Sequence, residues 1–211
     1  MKSDETVEKR EKRVILIGPY QSGKTTLLHR LMGDYSFVSR YQTNGVGFDY
    51  RKSNLSHNNN QYPVGLYDTP GRERYLRLLK NYLIHGDLIL LLFREDTMKE
   101  AIEVFYPLYT KHQIETGKLI FVENGVKEEN HCILTERQKR LYLDNFKQFD
   151  EDYIQIDCNT IYNIDKLKEL IASHLYDYKN YIIRRRRKDI IGNFSIILKT
   201  QKNMKINNSC V

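Results

Sequence analysis

The sequence predicts an α/β protein built on a mostly parallel sheet, and two observations favour this class. Continuous apolar runs of strand length lie at residues 14–17, 88–93 and 119–122, as expected of strands that are covered on both faces. Segments with apolar residues at three- and four-residue steps lie between and after these runs, which is typical of amphipathic helices. Strands that alternate with helices form a parallel sheet.

The first half of the chain has the order strand, helix, hairpin. The strand at 14–17 leads into Gly18, and leucines at four-residue spacing predict a helix over 25–32. Two further strands are predicted at 48–52 and 64–67. The residues between them include an Asn run and a proline, which predict a polar turn, so the two strands should form a hairpin.

The second half alternates helices and strands. Residues 97–111 have a helical pattern, and Pro107 is expected to kink or end that helix. A further helix is predicted at 135–149 and a last strand at 153–156. Apolar residues at helical spacing over 164–175 predict a closing amphipathic helix.

Composition indicates one domain in a reducing compartment. The chain has 211 residues, of which 40% are hydrophobic, and this is enough apolar material for a single core. Its longest apolar run is far shorter than the ~20 residues of a membrane-spanning helix, and the charged N-terminus has no apolar signal-peptide region. The three cysteines have no metal-like spacing. We therefore expect a cytoplasmic protein without a disulfide framework.

The net charge of +7 is concentrated at the C-terminal end. The segment from Asp177 to Val211 contains nine basic and two acidic residues, so the rest is close to neutral and we expect no nucleic-acid binding. The run from Arg184 to Lys188 has apolar neighbours. It is either a solubilising tail or a segment that adsorbs to anionic membranes on their cytosolic face. We divide the chain into a charged arm at 1–12, a domain at 13–177 and a basic tail at 178–211.

The residues from Gly18 to Thr25 fit the pattern G-x-x-x-x-G-K-[ST], between a predicted strand and a predicted helix. Glycines let backbone N–H groups surround phosphate oxygens, and the N-terminus of the following helix adds its dipole. In such a loop Lys24 reaches the β- and γ-phosphates and the Thr25 hydroxyl ligates Mg²⁺. The predicted phosphate-binding residues are Gly18, Ser22, Gly23, Lys24, Thr25, Thr26 and, from a second motif, Gly71.

The second motif, D-T-P-G at residues 68–71, directly follows a predicted strand. Asp68 therefore lies at the carboxyl end of that strand, where it can hold the water shell of Mg²⁺, and the N–H of Gly71 can point at a γ-phosphate. Thr43 lies between the two motifs and can close over the metal when a triphosphate is bound. We predict Thr25, Thr43 and Asp68 as the metal site.

These motifs resemble those of the Ras superfamily of small GTPases, from about Val14 to Tyr176. The residues from Arg72 to Tyr75 are similar to the G-Q-E-R-Y/F continuation of the Rab and Ras branches. The resemblance implies a three-layer P-loop GTPase fold, with a six-stranded, mostly parallel sheet and helices on both faces. It also implies a Mg²⁺-dependent GTP/GDP switch in membrane trafficking or signalling. Effectors and exchange or activating proteins would then contact the segments from Thr43 to Asp49 and from Asp68 to Tyr75.

The base-recognition motif departs from the family pattern N-K-x-D. This chain has Asn124-Gly125-Val126-Lys127, and the loss of the aspartate should lower guanine specificity. Glu128 can supply the carboxylate if the loop carries an insertion; otherwise it is a solvated acid. The family's S-A-K motif corresponds to Asp157-Cys158-Asn159, in which the backbone N–H of Cys158 can still serve the base. The predicted base-binding residues are Asn124, Lys127, Glu128, Cys158 and Asn159.

The hydrolytic positions depart from the family pattern as well. Arg72 replaces the glutamine that orients the attacking water. Tyr20 replaces a small glycine close to the γ-phosphate, where a bulky ring should crowd both the water and an arginine from an activating protein. We predict weak GTPase activity and assign no catalytic residue, with Arg72 as an arginine finger in cis as the alternative.

Three functions remain open from the sequence. The intact phosphate and metal residues favour a nucleotide switch. The departures at Tyr20, Arg72, Gly125 and Lys127 favour a pseudo-GTPase that binds partners without switching. A small-molecule kinase would need a lid with catalytic arginines, and the D-T-P-G-R-E-R-Y segment argues against it. Near the end of the chain, the lone Cys210 matches neither the C-a-a-X nor the paired-cysteine pattern of prenylated relatives.

Overall fold

The computed structural model describes residues 11–38, 48–57, 60–112, 118–125 and 152–176. The chain divides into two units after Leu175, and the description below concerns the first. Outside the described residues lie most of the N-terminal arm, Thr43, Lys127, Glu128, the helix predicted at 135–149, the basic tail and Cys210. The expectations that concern them stay predictions.

Six strands form one sheet in the order β2-β3-β1-β4-β5-β6. The strands are β1 (Lys12–Ile17), β2 (Asp49–His57), β3 (Asn60–Asp68), β4 (Leu88–Phe93), β5 (Lys118–Asn124) and β6 (Asp152–Ile156). The β2–β3 pair is antiparallel, and the other four pairs are parallel. This confirms the predicted class, a six-stranded and mostly parallel α/β sheet.

The hairpin strands are longer than predicted. The sequence predicts a polar turn over 53–63, but β2 continues to His57 and β3 begins at Asn60. Pro63 lies within β3, opposite Asn54. Because β1 first pairs with β3 at Val64, Pro63 lies where β3 has a neighbour on one side only, and a missing N–H is tolerated there.

The described helices are α1 (Lys24–Leu31), α2 (Leu76–Leu83), α3 and α4 (Ile164–Tyr176). The helix α3 consists of Met98–Glu100, a π-helical turn at Ala101–Phe105, and Tyr106–His112. Pro107 therefore does not end the helix; the irregular turn comes just before it, where the proline cannot donate an ordinary helical hydrogen bond. None of the helices in the described ranges combines the length and apolar character needed to cross a membrane.

The central strands and the helices on them form the core. Every residue of β4 is buried. Ile15 and Ile17 pack in one cluster with Leu79 of α2 and Phe105 of α3, and the alternate residues of β1 are equally buried on the opposite face. Since β1, β3, β4, β5 and β6 run in the same direction, the residues that follow their carboxyl ends lie along one edge of the sheet.

Candidate functional site

The loop between β1 and α1 adopts left-handed backbone positions. The φ angle is +64° at Gln21 and +96° at Gly23. A Cβ atom on Gly23 would lie 2.2 Å from Nδ2 of Asn124, so a side chain cannot be placed there without displacing the asparagine. Gly23 is also the N-cap of α1, whose first turn contains no acidic residue. A helix N-terminus of this kind attracts anions.

The ammonium group of Lys24 is folded back into this loop. Its Nζ donates hydrogen bonds to the carbonyl oxygens of Gly18 and Pro19, at 2.9 and 2.7 Å, and to Oγ of Ser22 at 3.3 Å. Only 6% of Lys24 is exposed, and burial lowers its pKa to about 8, against the attraction of Asp68. A buried cation in a phosphate loop gains free energy from an anionic ligand.

Thr25 and Asp68 form the part of the site that fits a metal ion. Oγ1 of Thr25 donates to Oδ2 of Asp68 at 2.5 Å. Burial raises the pKa of Asp68, while the Thr25 hydrogen bond and the Lys24 ammonium oppose that shift. The other oxygen, Oδ1, is buried and has no partner of hydrogen-bonding geometry within the described ranges. A hydroxyl beside a carboxylate with an unsatisfied oxygen offers the hard ligands that Mg²⁺ prefers.

The segment that follows β3 lies directly against the phosphate loop. Oγ1 of Thr69 donates to the carbonyl oxygen of Leu16 at 2.6 Å. A Cβ atom on Gly71 would lie 2.6 Å from Nζ of Lys24 and 2.6 Å from the carbonyl oxygen of Pro19. This close approach requires glycine at position 71. No role for Thr69 was predicted from the sequence, although its position directly after the strand was a signal.

The two residues that depart from the hydrolytic pattern contact each other. Cζ of Arg72 lies 4.3 Å from the centroid of the Tyr20 ring, which is within the range of a cation–π interaction. The sequence could not indicate this contact, because the two residues lie on separate loops.

Asn124, the retained residue of the base motif, connects the phosphate loop to the loop after β6. Its Nδ2 donates to the carbonyl oxygen of Ser22 at 3.0 Å, and its Oδ1 accepts from the N–H of Cys158 at 3.1 Å. The N–H of Gly125 donates to the carbonyl oxygen of Ile156 at 3.0 Å. The N–H of Cys158 that was expected to serve the base is thus engaged with Asn124, and its role in base recognition stays a prediction.

The loop after β6 contains a buried cysteine, Cys158, and an internal hydrogen bond. Cys158 is 1% exposed, and burial raises the pKa of its thiol to about 12, so it is not a nucleophile at neutral pH. The N–H of Asn159 donates to Oδ1 of Asp157 at 2.8 Å. The remaining predicted base-binding residues, Lys127 and Glu128, lie outside the described residues.

Arg30 is a buried residue of the site region that the sequence analysis missed. Its Nε donates to the carbonyl oxygen of Cys158 at 2.7 Å, and Nη1 and Nη2 donate to those of Asp34 and Phe37 at 2.7 and 2.9 Å. The available signal was its spacing, since it follows the buried Leu27 by three residues and therefore lies on the same side of α1.

A phosphate loop, a D-x-x-G segment against it and a bracing asparagine thus meet at one edge of the sheet. The family model for the Ras of Complex, Roc, domain of DAPkinase matches residues 13–127, which is more than half of the chain and contains all three features. The chain belongs to the Ras superfamily of small GTPases.

Rab proteins are among the relatives of this small GTPase. It is 25% identical over 186 residues to Ras-related protein Rab-19 of Xenopus laevis, and the match covers 80% of each chain. It is 25% identical over 167 residues to Ras-related protein Rab-3C of Bos taurus, covering 77% of this chain and 72% of the relative. Ras-related protein RabO of Dictyostelium discoideum is 25% identical over 165 residues, 74% of each chain. The protein is therefore a Rab-like member of the superfamily.

Proposed function

We propose that this small GTPase is a guanine-nucleotide switch that binds GTP and GDP together with Mg²⁺. The observation that carries the proposal is the contact between Thr25 and Asp68 directly beside the buried Lys24. Lys24 would hold the β- and γ-phosphates, while Thr25 and Asp68 would hold the metal. In the triphosphate state Thr43 would join the metal site, and the N–H of Gly71 would meet the γ-phosphate.

The chain's own groups neutralise the phosphate charge in this proposal. Bound Mg²⁺ would supply further neutralisation of the phosphate oxygens. Lys24 contributes a full positive charge, and the N-terminus of α1 contributes partial charge through its N–H groups. Asn124 holds the loop in shape through its hydrogen bond to Ser22, so it would act on the phosphates indirectly.

Ligand-induced stabilisation tests this proposal. Thermal unfolding would be measured in the presence of Mg·GDP, Mg·GTP and Mg·ATP. We expect both guanine nucleotides to raise the Tm; a ligand at 100 times its Kd stabilises by about 2.7 kcal/mol. The rise should disappear with EDTA and in Lys24→Ala and Asp68→Ala. No rise with any nucleotide would contradict the switch and favour the pseudo-GTPase, which the departures at Tyr20 and Arg72 support.

Slow hydrolysis is the second part of the proposal. Arg72 replaces the water-orienting glutamine, and its guanidinium is stacked on Tyr20 at 4.3 Å. Single-turnover cleavage of GTP should therefore be slow, and a Tyr20→Gly/Arg72→Gln double variant should be faster. A slower double variant would favour Arg72 as an arginine finger in cis, and equal rates would contradict any limiting role for the two residues.

Lys127 occupies the position at which the family has the base-binding aspartate, and Glu128 is the next residue. We propose that Glu128 supplies the carboxylate that selects guanine. A carboxylate that binds guanine bidentately should be worth about 100-fold in GDP affinity relative to Glu128→Gln. Glu129→Gln is the matched control, because it removes the same charge from the next residue. If the two variants bind GDP equally well, Glu128 is not the acceptor.

We further propose that effector and exchange or activating proteins contact the segments from Thr43 to Asp49 and from Asp68 to Tyr75. In the second of these, Glu73 and Arg74 are exposed. The domain at 13–177 would be joined to the basic tail at 178–211, whose run from Arg184 to Lys188 would attach to anionic membrane surfaces. Binding to anionic liposomes at low salt that is lost at high salt would support the attachment, and no binding at low salt would exclude it.

A further inference from the structure

We propose that Tyr20 and Arg72 form a clamp that holds residues 68–72 against the phosphate loop whichever nucleotide is bound. The inference rests on the proposed nucleotide switch and concerns how that site is regulated. Tyr20 and Arg72 are positioning residues in this proposal, and neither is assigned a chemical step.

The first observation is a continuous set of contacts between residues 68–72 and the segment from β1 to α1. Asp68 accepts a hydrogen bond from Thr25, and Thr69 donates one to Leu16. Gly71 lies against Pro19 and Lys24, and Arg72 stacks on Tyr20. Each of these contacts joins two groups of the protein and involves no ligand atom.

The second observation is a change in exposure directly after Arg72. Thr69, Pro70 and Gly71 are buried, whereas Glu73 and Arg74 are exposed. A short 3-10 turn begins at Glu73, and its closing hydrogen bond runs from the N–H of Tyr75 to the carbonyl oxygen of Arg72. Arg72 is therefore the last residue of the loop before the exposed positions begin.

The physical reason for a clamp lies in what usually orders this segment. In GTPase switches the segment is ordered by contacts to the γ-phosphate and Mg²⁺, and it is released on hydrolysis. The stack between Tyr20 and Arg72 joins two protein groups and involves no nucleotide atom, so in this proposal it forms in both nucleotide states and contributes no difference between them. A ligand shifts a conformational equilibrium only by its differential interaction with the two states. Apart from the hydrogen bond of the Gly71 N–H, the nucleotide response should then be carried by the segment that contains Thr43 and by residues beyond Arg72.

The test is amide hydrogen exchange in residues 68–72, measured without nucleotide, with Mg·GDP and with a non-hydrolysable GTP analogue. Pro70 has no amide, and the N–H of Gly71 would be protected directly by the γ-phosphate in the GTP-analogue state, so Thr69 and Arg72 report. Tyr20→Phe keeps the ring face and is the matched control for Tyr20→Gly, which restores the residue usual in the family. We expect equal exchange in the two nucleotide states of the wild type and of Tyr20→Phe.

In Tyr20→Gly and in Arg72→Gln, exchange in the GDP state should be roughly 5- to 30-fold faster, the range that corresponds to loss of one partly desolvated cation–π contact. The GTP analogue should slow it again. The double variant should match the single variants, because both remove the same contact. Exchange in Tyr20→Phe as fast as in Tyr20→Gly would overturn the clamp, as would a wild type that responds to nucleotide as strongly as Tyr20→Gly.

Failure of the proposed function is distinguishable from failure of the clamp. If no nucleotide binds, the switch fails, but the comparison of Tyr20→Gly with Tyr20→Phe remains possible in the ligand-free protein. Faster exchange in Tyr20→Gly would then still support the clamp. Equal exchange in the two variants would overturn it.

Discussion

At the scale of single residues, the buried Lys24 makes nucleotide binding depend on pH. Its pKa in the free protein is about 8, below the ordinary 10.5, because of burial, and bound phosphates should raise it again. As the pH rises through 8, the free protein loses the proton that the complex retains. We therefore expect Mg·GDP to bind about tenfold more weakly at pH 9 than at pH 7.

Calorimetric titration at the two pH values measures this effect, and Lys24→Met is the control because it has no titratable group at this position. The free energy of unfolding of the free protein changes with pH in the opposite direction to the affinity for Mg·GDP. Between pH 8 and 10.5 the unfolded chain keeps the Lys24 proton longer than the folded one, so this group makes the free fold more stable as the pH rises. An affinity that is the same at both pH values in the wild type would contradict the role given to Lys24.

A second residue-scale prediction concerns Gly23. Gly23→Ala places a Cβ atom 2.2 Å from Nδ2 of Asn124 at a φ of +96°. Gly33→Ala is a matched control, because Gly33 has a φ of +83° and no atom within 4 Å of the added Cβ. The control should lose about 1 kcal/mol of unfolding free energy from the left-handed conformation alone. Gly23→Ala should lose about 3 kcal/mol, since it also breaks the Asn124 brace.

Urea unfolding of the two glycine variants measures the difference. Equal losses would mean that Asn124 moves aside without cost, and that its hydrogen bond to Ser22 does not hold the phosphate loop.

Local sequence was sufficient to locate the groups around Lys24 and Asp68. Each motif follows a predicted strand, and the carboxyl ends of parallel strands meet at one edge, so their proximity could be inferred without coordinates. The stack of Arg72 on Tyr20 could not be inferred, because a cation–π contact leaves no spacing pattern in the sequence. The same holds for the hydrogen bonds of Arg30, whose partners are backbone carbonyls of other loops.

At the scale of elements, Arg30 attaches α1 to the turn that follows it and to the loop after β6. It is 4% exposed and donates to three carbonyl oxygens. Arg30→Met has a similar volume but leaves these acceptors without a donor. We expect it to lower the free energy of unfolding by about 3 kcal/mol. Thermal and urea unfolding measure this loss.

The control for Arg30→Met is Arg77→Met, the same substitution at an exposed position of α2. It should change the unfolding free energy by no more than about 0.5 kcal/mol. Comparable losses in the two variants would contradict the bracing role of Arg30.

The strand predictions at 14–17, 88–93, 119–122 and 153–156 agree with the structure, whereas the hairpin strands were predicted too short. The apolar runs of β1, β4 and β5 identify strands because both faces are covered. The outer half of the hairpin is polar, since β2 is an edge strand, and its residues 53–57 therefore resemble a turn in sequence. In α3, the sequence placed the disturbance at Pro107, whereas the structure has it in the π-helical turn Ala101–Phe105, because the proline constrains the turn before it.

At the scale of the whole molecule, the family and the fold agree with the sequence motifs, whereas the departures fall at positions proposed to contact the γ-phosphate and the base. Lys24, Thr25 and Asp68, the proposed phosphate- and metal-binding residues, meet at one edge of the sheet. Tyr20 and Arg72 contact each other there, and the aspartate of the base motif is replaced by Lys127. Nucleotide binding therefore depends on whether Lys24, Thr25 and Asp68 suffice without the aspartate of the base motif.

The most direct test is the nucleotide content of the protein purified without added nucleotide. The protein is precipitated with acid, and the released ligand is identified and quantified by chromatography. We expect stoichiometric guanine nucleotide, present as GTP if hydrolysis is as slow as proposed. Stoichiometric GDP would contradict slow hydrolysis but not the switch. A protein without nucleotide, whose Tm does not rise in Mg·GTP, would contradict the proposed nucleotide switch.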